Sequence, residues 1–122
     1  MNNRDVLTEF NVVSPIPDEV IAENPNPLFD IEEDVFIVIP SYMAWCLRSG
    51  GTNGSIVVDG TVLALAELGR ARKISKGPFR FKRECSAKQQ EVVVSFLEWC
   101  LSAEPMIDKY TERALKHWRK GN

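Results

Sequence analysis

The stretch "VFIVIPSYMAWCLRSGG", residues 35–51, decides how this chain is read. It is apolar over its first twelve residues apart from the break at Pro40, Ser41 and Tyr42, and it runs out into two glycines. A proline inside a helix removes one N–H and crowds the carbonyl four residues earlier, whereas in a first turn it fits well. The residues therefore predict two helices meeting at a kink near Ile39–Pro40. The first covers roughly 31–38. The second runs from Pro40 to about Arg48 and ends at Gly50, a good left-handed cap. Met43, Ala44, Cys46 and Leu47 form its core face, flanked by Tyr42 and Trp45. A competing reading makes "VFIVI" a buried strand, because β-branched residues dominate it.

Working outward, "DIEE" from Asp30 has the form of a capping box, with Asp30 capping and Glu33 reaching back. Before it, "SPIPDEVIAENPNP", residues 14–27, holds four prolines. Pro17 opens a short helix through Ile21 or Ala22, with Asp18 and Glu19 where the helix dipole favours acids. "ENPNP" then reads as a stop and a linker. Residues 1–13 show no clear period. After the glycines, "SGGTNGS" is a surface loop without the lysine and spacing of a phosphate loop. "IVVDG" is either a brief strand or the entry to a helix capped by Asp59, and "TVLALAELG" is helical to Gly69. Phe79 and Phe81 alternate with Arg80 and Lys82, which fits an extended segment. Ser86 and Gln89 form a second capping box opening a helix whose Val92, Val93, Phe96, Leu97, Cys100 and Leu101 recur at helical spacing; its wide apolar stripe marks it as the central helix. Pro105 starts a last helix with Met106, Ile107, Tyr110, Ala114, Leu115 and Trp118 on one face. Trp45, Trp99 and Trp118 are assigned to the core; an exposed one would mark an interface. The expected fold is mainly α: a single small helical domain, 1–122, of five or six helices with room for one or two short strands. Residues 1–28 form an acidic, proline-rich segment and 29–120 a helical core.

Three pieces in this order carry a resemblance: the helix start running into "IPSYMAWCL", then "FRFKRECSAKQQEVVVSFLEWCLS", then "ERALKHW". The matching positions are Pro40, Tyr42, Met43, Ser86, Gln89, Phe96, Leu97, Ala114, Leu115 and Trp118. Over residues 29–118 the chain resembles a family of small uncharacterised bacterial domains, with isoleucine in place of the leucine before the proline. The resemblance implies no activity; the shared positions are core and cap residues.

The 122 residues suffice for one domain, and 44% hydrophobic with 26% charged is an ordinary globular balance. No stretch reaches the roughly eighteen apolar residues of a membrane span, and the polar start has no signal-peptide core. A cytoplasmic location is expected. Cys46, Cys85 and Cys100 form no CxxC, and His117 is the single histidine. A zinc site needs three or four ligands, so buried free thiols and no metal are expected. Cys85, just before a helix start and near Arg83, is the thiol best placed to react. His117, in a last turn, should be favoured in its protonated form by the helix dipole. Glu32, Glu33 and Asp34 are consecutive and point in different directions on a helix, which suits solvation better than metal binding. Gln89 is accounted for by capping. No cofactor is implied, and the chain is read as non-enzymatic.

Charge is lopsided. Residues 1–34 hold nine acids and one base; the rest holds fourteen bases and eight acids, giving a net charge of −2. From this comes the leading expectation: a non-catalytic binding protein with a protein partner, of the immunity type that neutralises a bacterial toxin by occlusion, steered by charge. Its acidic face would be Asp18, Glu19, Glu23, Asp30, Glu32, Glu33 and Asp34. The alternative uses the basic run Arg70, Arg72, Lys73, Lys76, Arg80, Lys82, Arg83 and Lys88, with Phe79 and Phe81 between them, as a nucleic-acid face. A sequence pI near 5.4 weighs against that. A helical adaptor, or an enzyme using Cys85 or the acidic cluster, completes the set.

Overall fold

A computed structural model describes residues 2–28, 32–49, 55–70, 76–103 and 108–120. Asp30, Gly50, Arg72, Lys73, Pro105, Met106 and Ile107, and with them the Asp30 cap and the Gly50 stop, lie outside the described residues. Seven α-helices and one 3-10 turn account for the regular structure among those described, with no strand. The mainly helical expectation holds, and both strand readings, over "VFIVI" and "IVVDG", are corrected to helix.

The first helix, α1 (Asn3–Glu9), falls where no period was visible. Asn2 and Asp5 exchange backbone–side-chain bonds at 3.0 and 3.1 Å, a complete capping box. At its end Asn11 adopts φ 57, and the N–H groups of Asn11 and Val12 return to the carbonyls of Thr8 and Leu7. That is a Schellman closure, with asparagine taking the left-handed position. The acidic α2 (Asp18–Glu23) follows Pro17 and buries Ile21 completely.

One continuous helix, α3 (Val35–Ser49), runs through Pro40, so the expected break into two helices is corrected. Asp34 starts it: its carboxylate accepts the Phe36 N–H at 2.8 Å and its carbonyl accepts from Ile37 and Val38. An interior proline costs about 3 kcal/mol. Nine of the fifteen residues are buried, and that burial outweighs the lost bond. Ser41, next to the proline, makes a second link. Its hydroxyl donates to the Ile37 carbonyl at 2.6 Å and accepts the Ile16 N–H at 3.0 Å, tying the N-terminal segment to the helix beside the proline. The Tyr42 hydroxyl donates to the Asn24 carbonyl, and Arg48 pairs with Asp18 at 2.8 Å. Ile16 and Asn24 thus both meet the middle of α3, at Ser41 and Tyr42, while Asp18 between them reaches its C-terminal end. Tyr42 is fully buried rather than flanking.

The fourth helix, α4 (Ile56–Gly69), is capped by Ser55, whose Oγ accepts the Val58 N–H; the expected cap, Asp59, lies in its first turn. The segment "GPFR" is a 3-10 turn, Gly77–Arg80, that leads straight into α5 (Phe81–Glu84). The extended reading is corrected: in a helical turn the two phenylalanines diverge, so Phe81 is fully buried and Phe79 only partly. The predicted box opens α6 (Ala87–Ala103), with Ser86 and Gln89 bonded reciprocally at 2.8 and 3.0 Å. The last helix is α7 (Asp108–Arg119). On it Thr111, Ala114, Leu115 and Trp118 face inward while Tyr110 faces out, a correction to the assigned apolar face.

Packing closes a circuit. α1 lies on α3, α3 on α4, α4 on α7, α7 on α6 and α6 on α1. Inside it, Phe81 touches three rings from three other helical segments: Phe10 at 5.7 Å, Phe36 at 4.8 Å and Trp118 at 5.8 Å. The Trp118 indole N–H, itself buried, donates to the Leu65 carbonyl at 2.8 Å. α3 and α4 are the most enclosed helices, so the central place expected for α6 belongs to them. Trp45 and Trp99 are partly buried against the core.

Candidate functional site

The acidic residues are spread out. Asp18 is engaged by Arg48 at one end of α3, and Asp34 at the other end caps that helix and holds Arg80 at 2.9 Å. Residues 34 and 48 stand fourteen apart, about 21 Å at the helical rise. Glu19, Glu23, Glu32 and Glu33 are exposed and make no ion pair among the described residues. The acids thus follow the length of α3 instead of gathering at one place.

Two members of the basic run, Arg80 and Lys82, are tied into the fold. Arg80 bridges Asp34 and Glu84 and lies 5.4 Å over the Phe36 ring. The Lys82 ammonium donates to the His117 carbonyl at 2.9 Å and lies 3.5 Å from that of Gly69. It joins the C-terminal ends of α7 and α4, where the dipole favours a cation. Burial, then Lys120, lowers its pKa. Arg83 stands 3.9 Å from Glu84, and Arg70 pairs with Glu67 at 3.0 Å. Lys88 is exposed beside Asp5 and Glu9 of α1, and Lys76 is exposed on its own segment.

The reactive-residue candidates are held away from chemistry. All three thiols are free and buried. Burial, with Glu84 adding to it, pushes Cys85 up to about 12, so it is a protonated thiol at neutral pH. His117 is shifted down, by desolvation first and then by Lys120, Arg70, Lys82 and Lys116. The expected preference for protonated histidine is corrected: burial, with the neighbouring cations adding to it, disfavours the charged ring. Gln89 caps α6 and also donates to the Glu9 carbonyl at 3.2 Å, and Gln90 donates to the Lys82 carbonyl at 3.3 Å. No cluster of three metal-ligating side chains occurs among the described residues.

Among the surface hollows of the described residues is a groove of about 720 Å³ between α4 and α7. Leu63 and Ala66 of α4 and Tyr110 of α7 supply its apolar lining. Leu63 is 47% and Tyr110 46% exposed, and Ile56, seven residues before Leu63 on the same helix, is 63% exposed. Arg70, Lys109, Arg113, Lys116 and His117 line it with positive or titratable groups, against Glu67 and Glu112. Sequence reasoning missed this site. Leu63 looks like any other apolar residue of "TVLALAELG", and Tyr110 falls on a plausible inner face. Two signals were present: α4 carries more apolar residues than one buried face needs, and Lys109, Arg113 and Lys116 recur at helical spacing on one side of α7.

No family model, curated protein or solved structure matches the chain. No helix of the described residues is long and apolar enough to cross a membrane.

Proposed function

We propose that this chain is a non-catalytic binding protein whose partner is another protein. The observation that supports the reading is the half-exposed Leu63 and Tyr110, set side by side in the α4–α7 groove. Paired large apolar side chains exposed at a concave place are a common mark of protein contact. An immunity-type inhibitor that occludes a toxin is the finer form of this reading, with the exposed Glu19, Glu23, Glu32 and Glu33 available for long-range steering. A pull-down with the tagged protein as bait, from the native host at low and at moderate salt, tests it. A stoichiometric protein partner retained at both salts is expected, and a toxin among the retained proteins would support the finer form. Nucleic acid alone, lost as salt rises, would replace the reading with one centred on the basic run. Nothing retained at either salt would contradict it.

A further inference from the structure

We propose that the α4–α7 groove is the docking site for an acidic amphipathic helix of a partner protein. The inference rests on the protein-binding reading and adds the chemistry of the occupant. The groove is about two helical turns long. Its walls run from Leu63 to Arg70 on α4 and from Lys109 to His117 on α7, which spans two turns at about 5.4 Å each. Its apolar lining comes from both walls, Leu63 and Ala66 from α4 and Tyr110 from α7. That suits apolar side chains at i, i+3 and i+4 of an incoming helix.

Charge selects the sign of the occupant. Lys109, Arg113 and Lys116 line one wall and make no ion pair among the described residues. Arg70 lines the opposite wall near its far end, where it is paired with Glu67. Carboxylates flanking the apolar stripe of a partner helix would meet these cations. A nucleic-acid backbone fits less well. Glu67 and Glu112 act against any anion, so the choice rests on the apolar lining: the exposed aliphatic Leu63 and buried Ala66 suit the side chains of a helix, and Tyr110 is the one aromatic face in the lining.

The test uses the full chain and three labelled probes in fluorescence anisotropy at low salt. They are an acidic amphipathic peptide of about fourteen residues, with leucines at i, i+3, i+4 and i+7 and glutamates elsewhere, the same peptide with lysine for every glutamate, and a single-stranded RNA of similar length. The acidic peptide is expected to bind about tenfold more tightly than either other probe. Leu63→Glu with Tyr110→Glu should weaken it about tenfold, as truncating a central anchor does. Lys88→Glu, the same charge change beside α1, should leave it within about twofold. Both groove positions are about half exposed, so the double variant should keep the wild-type circular dichroism and unfolding midpoint. Equal binding of the two peptides, preference for RNA, or an acidic-peptide affinity untouched by the double variant would each overturn the proposal. Should the double variant still capture the same protein from the host as the wild type, the groove is excluded while the binding reading stands.

Discussion

Gly60 leaves no room for a side chain. A Cβ at this position would lie 2.0 Å from the Pro25 carbonyl oxygen, so the 24–26 segment packs directly on the backbone of α4. Alanine is intrinsically better in a helix by ~1 kcal/mol, but forcing the two backbones apart costs about 1–3 kcal/mol. Gly60→Ala is therefore expected to lower the urea midpoint, and an unchanged or raised midpoint would contradict the close approach. Cys85 makes a chemical prediction. With its pKa pushed up to about 12, it should not react with a thiol reagent near pH 8 in the native protein and should react once the chain is unfolded. Prompt labelling of the native thiol would reopen the nucleophile reading. A sequence could not rule on Cys85, because proximity to Arg83 argues for a reactive thiol and only the three-dimensional burial reverses it.

At the scale of single helices, what was legible followed the strength of local signals. The Ser86–Gln89 box and the α6 stripe were plain because cap and period agree. α1 was invisible because a helix of seven residues buries only Val6 and shows no period, although Asn2 and Asp5 held the capping signature. α3 was misread for a physical reason. A local rule says that proline interrupts a helix, but tertiary burial over most of its length overrides it. The role of Ser41 is testable. Ser41→Ala leaves the part-buried Ile16 N–H without its acceptor and should cost about 0.5–1.5 kcal/mol. Amide exchange at Ile16 should quicken while exchange at Val6 changes only with the global stability. Unaltered exchange at Ile16 would mean that the hydroxyl does not hold the segment. The α4–α7 site was illegible because exposed and buried leucines read alike in a helix apolar on several sides.

Over the whole molecule, Phe81 gathers the ends of α1, α3 and α7 around one ring, although it belongs to a helix of only four residues. Phe81→Ala should cost about 3–5 kcal/mol, seen in chemical denaturation as a large drop in midpoint. A loss below about 1 kcal/mol, the range of a surface change, would show that the circuit closes without it. The acidic first third and the basic remainder meet in this closed fold through Asp18–Arg48 and Asp34–Arg80, so part of the charge asymmetry is spent inside the molecule. On the outside, beside the exposed Glu19, Glu23, Glu32 and Glu33, lies the cationic, partly apolar groove. The most direct measurement of its role is photo-crosslinking from position 110, with a benzophenone amino acid replacing Tyr110 and, in a reference protein, replacing Lys88. A covalent adduct to an acidic, helical segment of a partner protein from position 110, and none from position 88, is the predicted result. An adduct from position 88 alone, or an RNA adduct at position 110, would contradict the account.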